Sequence, residues 1–207
     1  MSRNRLENMD EERQKRLFES ATEEFAEKGY NAASLNRILE KSGMSKSSLY
    51  YYFDDKADLF TTIMEKSLAI LLKKLGHFDP ENMTADTFWT EFEQRYHKAI
   101  LFVDNSNSWL MKFGGMFYEL RSDPKKGAAT GRLFQAARNW VNIIITRGQT
   151  LGVIRTDLPQ SLLIDLVMGL LESLDRWVVV NWNQLTEQDK MDMPEVHVGL
   201  FKQMLMP

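Results

Sequence analysis

The stretch SGMSKSSLYYYFDDKADLF (residues 42–60) decides how the N-terminal part of this chain folds. If a helix begins after Ser45, then Leu49, Tyr52 and Phe53 fall at i, i+3 and i+4 and share one face. Ser45 is placed to cap that helix, because a serine at this position accepts a hydrogen bond from the unpaired amides of the first turn. The sequence therefore predicts a short helix that packs inward through these three side chains.

The opposite face of this helix is polar and aromatic, and carries Lys46, Ser47, Tyr50 and Tyr51. Serine hydroxyls can donate to or accept from base edges, and tyrosine can contact a thymine methyl group or a phosphate. We interpret this face as one that enters the major groove of DNA. The alternative is a plain connector, since short serine-rich helices with aromatic residues also occur in that role.

Two helices are predicted before this one. Phe18, Ala21 and Phe25 form an apolar stripe over residues 10–28, and Gly29 follows at the position of a helix-ending glycine. The second predicted helix lies between a capping Ser34 and Gly43.

Three short helices joined by tight turns are typical of a helix-turn-helix supported by a first helix. On the second helix, Asn36 and Arg37 point away from the apolar stripe. A fourth helix, capped by Asp54 or Asp55, is predicted to run to about Leu75.

The longer stretch FAEKGYNAASLNRILEKSGMSKSSLYYYFDDKADLF (residues 25–60) resembles the DNA-binding region of the TetR family of bacterial one-component transcriptional regulators. The matching features are Phe-Ala-x-x-Gly-Tyr, then Ser-Leu-x-x-Ile, then Gly-x-Ser-Lys-x-x-Leu-Tyr-x-Tyr-Phe-x-x-Lys-x-x-Leu. By motif the resemblance covers roughly residues 10 to 60. The remainder matches in length, in its all-helical pattern and in a Gly-x-Ile-Arg-x-Asp-Leu turn before an apolar helix.

The resemblance implies a homodimer that inserts the third helix of each subunit into successive major grooves of a palindromic operator in double-stranded DNA. It also implies a helical C-terminal domain that dimerises and holds a small-molecule effector, whose binding swings the fourth helix. It gives Ser34 and Lys56 phosphate contacts. The predicted DNA-binding residues are Ser34, Asn36, Arg37, Ser45, Lys46, Ser47, Ser48, Tyr50, Tyr51 and Lys56.

The chain departs from the family pattern at several of these positions. Ser47 stands where glycine is common, and Tyr51 where histidine is common. The second helix reads Asn-Arg-Ile-Leu (residues 36–39) in place of Arg-Asp-Ile-Ala. The operator sequence therefore does not follow from the resemblance.

The whole chain is predicted to be all-α, because five prolines and eleven glycines in 207 residues leave long uninterrupted segments. We expect a helix-turn-helix domain over residues 1–55 and a helical ligand-binding and dimerisation domain over residues 56–207, connected by the fourth helix. Asp157 is predicted to cap the penultimate helix. The later predicted helices cover about residues 84–104, a shorter segment within 105–124, and residues 125–151, 160–182 and 187–206.

The second half is rich in tryptophan, phenylalanine and methionine, which adapt their shape and can line a ligand cavity. The alternative is that most of these side chains are core. Glu172 can face a cationic ligand, pair with Arg176 or remain solvated. The pocket candidates are Trp109, Phe113, Phe117, Trp140, Met168, Glu172 and Trp177.

The last two helices carry apolar stripes with small residues, which would form a four-helix bundle between two subunits. The alternative is that the stripes complete the core of one subunit. The predicted interface residues are Leu162, Leu166, Gly169 and Ser173 on one stripe and Val196, Leu200 and Met204 on another, which also holds Met193.

The composition limits the other functions. The net charge is −3, so a DNA-binding face must be local. There is no cysteine, and the three histidines are far apart, so neither a metal site nor a cofactor is expected. The charged N-terminus and the lack of a long apolar run predict a cytoplasmic protein without a membrane span. The alternatives to a regulator are an all-helical enzyme that uses Glu172 on an apolar substrate and a protein-binding adaptor that uses the exposed tyrosines.

Overall fold

The computed structural model describes Leu6, residues 8–76 and 79–104, Met116 and residues 127–207; within these ranges it contains helices and no strand. The predicted all-α class is confirmed. Two short 3-10 helices, Pro80–Asn82 and Trp182–Gln184, precede the fifth and eighth helices. The α-helices are α1 Glu11–Ala32, α2 Leu35–Ser42, α3 Lys46–Tyr52, α4 Lys56–Leu75, α5 Phe88–Asp104, α6 Gly127–Thr150, α7 Gln160–Asn181 and α8 Glu187–Leu205.

The described residues form two compact units. The first runs to Ala69 and includes Met116 and residues 127–131, and the second holds residues 70–104 and 132–207. The division falls inside α4, fourteen residues after the boundary expected from the sequence.

The core of the first unit is built from α1 to α4. The ring of Phe25 meets the ring of Phe60 edge-on, with 5.1 Å between centroids, and Tyr30 meets Phe60 at 5.4 Å. Full burial of side chains of this size stabilises a fold by about 1.5–3 kcal/mol each. The fully buried members from the four helices are Leu17, Ala21, Phe25, Ile38, Leu49, Leu59 and Phe60.

Glycines break α1 and end α2 where the sequence predicts. Gly29 has φ 71° and ψ 167°, which interrupts regular helical geometry although α1 extends to Ala32. Gly43 has φ 66° and its amide donates to the carbonyl of Glu40. A Cβ atom strains the backbone at positive φ, so glycine is favoured at both turns.

The caps of the first unit follow the prediction in part. Ser45 Oγ accepts a hydrogen bond from the amide of Ser48 at 3.1 Å, as predicted. Asp55 Oδ1 accepts a hydrogen bond from the amide of Asp58 at 2.8 Å, so Asp55, one of the two predicted candidates, caps α4. Ser34 occupies the N-cap position of α2, but its hydroxyl makes no capping hydrogen bond, so the predicted side-chain cap is wrong.

The core of the second unit contains Phe88, Ile145, Ile154 and Leu163, all fully buried. At Gly148 of α6, a Cβ atom would lie 2.6 Å from Ile154 Cγ1 and 2.9 Å from Phe88 Cζ. The absent side chain therefore lets α6 approach Ile154 and the start of α5 closely.

Two helix starts in the second unit differ from the prediction. Pro159 directly precedes α7, while Asp157 accepts from Nε and Nη2 of Arg155 at 2.7 and 2.6 Å, so the predicted Asp157 cap is wrong. These hydrogen bonds lower the pKa of Asp157. In addition, α5 begins at Phe88 rather than Thr84, because Thr84 and Thr87 exchange hydrogen bonds in the turn before it. The helix predicted within residues 105–124 lies outside the described residues, apart from Met116.

In the described part of the chain, every helix is too short or too polar to act as a membrane span.

Candidate DNA-binding face and ligand cavity

The inner and outer faces of α3 separate as the sequence predicts. Leu49 and Phe53 are buried, with relative exposures of 1% and 2%, whereas Tyr50 and Tyr51 are 47% and 56% exposed. Lys46 is exposed as well. The outer face of α3 therefore presents one cation and two large phenol side chains to solvent, while its buried inner face holds the helix against the first unit.

The serines of α3 are held by nearby groups. The hydroxyls of Ser45 and Ser47 lie 3.0 Å apart, and both residues are exposed. Ser48 Oγ accepts a hydrogen bond from Nη2 of Arg13 at 3.2 Å, so α1 contacts α3 through this pair. Arg13 thus links α1 to the predicted DNA-binding helix.

A cavity of about 320 Å³ with both polar and apolar walls lies beside α3 in the first unit. Its lining brings together Ser34 and Asn36 of the α2 start, Lys46 and Tyr50 of α3, and Lys56 of α4. Residues that are separated by up to 22 positions in sequence therefore share one concave surface, and all five are predicted DNA-binding residues.

The side chain of Lys56 is used inside the unit. Its ammonium group donates to the carbonyls of Tyr30, Asn31 and Ala33 at 2.8, 3.2 and 3.0 Å. It also lies 4.8 Å from the centroid of the Tyr30 ring. An ammonium group has three N–H donors, and three backbone carbonyls accept hydrogen bonds from Lys56. The structure therefore does not support the predicted phosphate contact of this lysine.

Glu24 is a site residue that sequence reasoning missed. Its side chain is buried, and Oε1 accepts from the amide of Ser34 at 3.0 Å. The guanidinium of Arg37, a predicted DNA contact, lies 3.9 Å from the same oxygen. Glu24 therefore fixes the start of α2 and holds Arg37 loosely. A glutamate next to the buried Phe25 was the available sequence signal.

The second unit contains a cavity of about 400 Å³ with almost entirely apolar walls. On α5, Trp89, Phe92, Tyr96 and Ala99 line it at i, i+3, i+7 and i+10. That spacing is one face of a helix, and it was the sequence signal for these residues, which the pocket prediction did not include. Other lining residues are Leu72, Leu75, Gly76, Phe88, Arg95, Trp140, Val141, Ile144, Ile145, Ile154, Val167, Leu171, Leu174, Asp175, Val198, Phe201 and Leu205.

Polar groups enter this cavity from α5 and α7. The hydroxyl of Tyr96 lies 2.6 Å from Nδ1 of the buried His197 on α8. Burial, together with the negative charge of Asp175, raises the pKa of Tyr96, and burial lowers the pKa of His197. The pair is therefore a neutral hydrogen bond at pH 7 that joins α5 to α8.

The predicted pocket residues divide into three groups. Trp140 lines the cavity. Met168 lies in the buried core cluster, Glu172 pairs with Arg176 at 2.6 Å, and Trp177 is exposed, so these three are placed outside the cavity lining. The predicted residues outside the described part of the chain are Trp109, Phe113 and Phe117.

Most of the predicted interface residues form an exposed stripe in the single chain. Small residues Gly169 and Ser173 are exposed on α7, and Val196 is 59% exposed on α8. Met204 is half-buried and Met193 is buried, so Met193 belongs to the core and not to the stripe. Large apolar side chains exposed on these two helices include Leu162, Leu166, Trp177, Val180, Val196 and Leu200.

No group of three or more histidine and carboxylate side chains that could hold a metal ion occurs among the described residues. The described residues thus combine a helix-turn-helix, in which α3 has an exposed polar and aromatic face, with an all-helical unit that contains an apolar cavity. This combination is typical of DNA-binding transcription regulators.

Residues 17–63 match the sequence model of the family described as bacterial regulatory proteins, tetR family. Over these residues the chain matches the TetR family of bacterial transcriptional regulators, in agreement with the resemblance of residues 25–60. It is 28% identical over 171 residues to the HTH-type transcriptional repressor SCO4008 of Streptomyces coelicolor, which covers 80% of this chain and 77% of the relative. It is 26% identical to the repressor AcnR of Corynebacterium efficiens over 69% of each chain.

Solved structures share the fold over nearly the whole chain. The transcriptional regulator FadR of Bacillus subtilis, in complex with stearoyl-CoA, superposes with a TM-score of 0.71 at 19% identity, over 90% of this chain and 96% of FadR. A tetR family regulator from a Shewanella species has a TM-score of 0.70 at 15% identity, over 94% and 98% of the two chains. At these identities the likeness concerns the fold.

Proposed function

We propose that this protein is a ligand-responsive repressor that binds a palindromic operator as a homodimer and is released by a small, largely apolar or aromatic ligand. The observation that carries the proposal is the outer face of α3, where Tyr50 and Tyr51 are 47% and 56% exposed while Leu49 is buried. Exposed large aromatic side chains beside Lys46 have a direct use in a DNA groove. The predicted DNA-binding residues keep that role in the proposal, except Lys56, which acts by positioning.

The homodimer is supported by the exposed apolar stripe on α7 and α8. A stripe that holds Leu162, Leu166, Val196 and Leu200 in water is costly for a single chain. Covering it with a second copy would form a four-helix bundle, and two-fold symmetry matches a palindromic operator.

Control by a ligand is supported by the 400 Å³ apolar cavity, a size that suits a small organic molecule. FadR of Bacillus subtilis, which shares the fold, is solved with stearoyl-CoA. The names of SCO4008 and AcnR favour repression over activation. The site of action that fits these roles is the cytoplasm, where the DNA is.

The proposal is tested by selecting fragments of the source genome that the purified protein retains, and measuring their binding by fluorescence anisotropy between about 50 and 200 mM salt. We expect a palindromic fragment that binds with a steep inverse salt dependence. A protein that retains no fragment at low salt would contradict the proposal and would favour the adaptor or enzyme alternatives.

A further inference from the structure

Glu24 of α1 is a charged side chain in the interior of the first unit, with a relative exposure of 2%. A buried carboxylate is costly unless nearby groups donate to it or carry the opposite charge. Two groups at the start of α2 do so. The amide of Ser34 donates to Oε1 at 3.0 Å, and Nη1 of Arg37 lies 3.9 Å from the same oxygen. The buried charge of Glu24 is therefore directed at the start of α2.

The contact with Ser34 replaces a hydrogen bond that many helices make within their own first turn. In a capping box, a glutamate or glutamine at the third helical position accepts from the amide of the N-cap residue. In α2 the N-cap is Ser34 and the third position is Arg37, whose side chain has no acceptor. Glu24 therefore supplies the missing acceptor from α1.

The relative strength of the two contacts decides how Glu24 acts. The amide of Ser34 donates at 3.0 Å to a carboxylate, and hydrogen bonds to a charged group are about twice as strong as neutral ones. The pair with Arg37 is longer than a hydrogen bond, and the Arg37 side chain is 59% exposed, so water screens the attraction. Glu24 therefore fixes the backbone of Ser34 and orients Arg37 only loosely.

The hydroxyl of Ser34 takes no part in this anchor, because it makes no capping hydrogen bond in α2. Ser34 lines the 320 Å³ cavity together with Asn36 and Lys46, two other predicted DNA-binding residues. A hydroxyl at this place can donate to a phosphate oxygen, and the partial positive charge of the helix N-terminus favours the same negative group. The backbone of Ser34 is thus held from inside while its side chain remains on the proposed DNA-binding surface.

We propose that Glu24 is a positioning residue for operator binding. By holding the Ser34 amide from α1, it keeps the Ser34 hydroxyl directed toward a DNA phosphate. This role rests on the DNA-binding part of the proposed function and adds to it a residue that does not itself touch DNA. A direct contact is excluded because Glu24 is buried and its charge has the same sign as a phosphate.

The experiment measures the affinity of the full-length protein for its selected operator by fluorescence anisotropy. Glu24→Gln keeps an acceptor for the Ser34 amide and should bind within about threefold of the parent. Glu24→Met keeps an unbranched side chain but offers only a weak sulfur acceptor. Its affinity should fall about fivefold to a hundredfold, because one hydrogen bond of ordinary strength weakens in each of two half-sites.

The neighbouring Glu23 provides the matched control. It also joins α1 to α2, since its Oε2 lies 3.1 Å from Nζ of Lys41 near the end of α2, but its side chain is 55% exposed. Glu23→Met should keep the operator affinity within about threefold of the parent. A loss as large as in Glu24→Met would show that any weakening of the contact between α1 and α2 has the same effect, which would overturn the specific role of Glu24.

A double-mutant cycle with Ser34→Ala separates positioning from a general loss of stability. In the parent and in Glu24→Gln, Ser34→Ala should weaken operator binding about fivefold to a hundredfold. In Glu24→Met the same change should cost less than about threefold, because the hydroxyl is no longer directed at the phosphate. If Glu24 acted through stability alone, Ser34→Ala would reduce the affinity by the same factor in every background.

Equal effects of Ser34→Ala in all three backgrounds would therefore overturn the positioning role and leave DNA binding in place. If Glu24→Met does not fold, Glu24→Gln decides alone. An affinity within about threefold of the parent then supports the role, and a greater loss would show that the charge is required and not the hydrogen-bond acceptor. A parent protein that binds no DNA fragment would instead refute the proposed function, so the two failures are distinguishable.

Discussion

Tyr51 lies on the exposed face of α3, and its ring packs edge-on against the neighbouring Tyr52 with 4.9 Å between centroids. Because Tyr51 faces outward and Tyr52 is half-buried, only the first is placed to read bases. Tyr51→Ala should alter the operator preference by about tenfold at one base position per half-site, the usual value of a base contact. Competition binding with operator variants measures this, with Tyr52→Phe as the control. Equal preference in Tyr51→Ala and the parent would refute a base-reading role.

Gly148 and Gly131 offer a matched pair on α6. Alanine at 148 must displace Ile154 and the Phe88 ring, and overpacking of this kind costs about 1–3 kcal/mol. No described atom lies within 4 Å of a Cβ at 131, so alanine there should stabilise the helix by about 0.5–1 kcal/mol. Chemical denaturation of both variants measures the difference, and equal stabilities would contradict the close approach at Gly148.

His197 is buried against Tyr96, and its burial lowers its pKa below the ordinary value of 6.5. The unfolded chain therefore binds a proton at a higher pH than the folded chain does. The free energy of unfolding decreases as the pH falls from 6.5 toward the pKa of His197 in the folded state. Denaturation midpoints between pH 7.5 and pH 5 should drop more in the parent than in His197→Gln. Parallel curves would show that His197 makes no contribution to the pH dependence.

At the scale of elements, Lys56 and Lys46 have different roles, since Lys56 stabilises the fold and Lys46 is proposed to contact DNA. Lys56 ties the start of α4 to the connection between α1 and α2 through three carbonyls. Lys56→Met should therefore cost about 1–3 kcal/mol of folding free energy and leave the salt dependence of operator binding nearly unchanged. Lys46→Met should leave stability unchanged and reduce the salt slope by about 0.9 for each phosphate that Lys46 neutralises. Denaturation curves and salt titrations of both variants test this, and the reverse pattern would restore Lys56 as a phosphate-binding residue.

Helix limits that depend on local signals could be predicted from the sequence. Gly43 ends α2 and Ser45 caps α3, since both effects arise from residues within one turn of the helix end. Asp157 failed as a cap because Arg155, two residues earlier, takes both of its carboxylate oxygens. Capping propensity alone does not account for a side chain two residues away that competes for the carboxylate.

The candidate site could be predicted where it depends on one helix face and not where it depends on distant contacts. The exposed face of α3 could be predicted from the helical period, because Leu49 and Phe53 share the buried face and the two residues that follow Leu49 therefore point outward. The partners of Lys56 come from 23 to 26 residues earlier in the chain, so no local pattern shows them. Methionine is a residue type that can line a pocket, but Met168 packs in the core, and residue type alone does not distinguish these two positions.

For the whole molecule, the exposed stripe on α7 and α8 predicts the assembly. Val196→Glu combined with Leu200→Glu places two charges on this stripe, where both side chains are exposed in the single chain. Charges buried without partners are costly, so the variant should be monomeric. Its operator affinity should fall by at least about tenfold, because a monomer binds only one half-site at a time. Light scattering after gel filtration measures the mass.

The matched control for the dimer is Ile143→Glu, an exposed apolar position on α6, which is not one of the two helices that carry the stripe. It should leave the mass and the operator affinity at parent values. A dimer that persists in the double variant would place the interface elsewhere.

The turn at Gly43 bears on how a mutational scan of this protein should be interpreted. The residue is exposed and a side chain there would meet no described neighbour within 4 Å, so ranking positions by accessibility would count it as permissive. Its φ of 66° opposes that ranking, because nearly every other amino acid would bend the link between α2 and α3 and tilt the tyrosines away from their present direction. Variants at this position are therefore expected to remain folded while losing DNA binding, and a screen for expression alone would miss them.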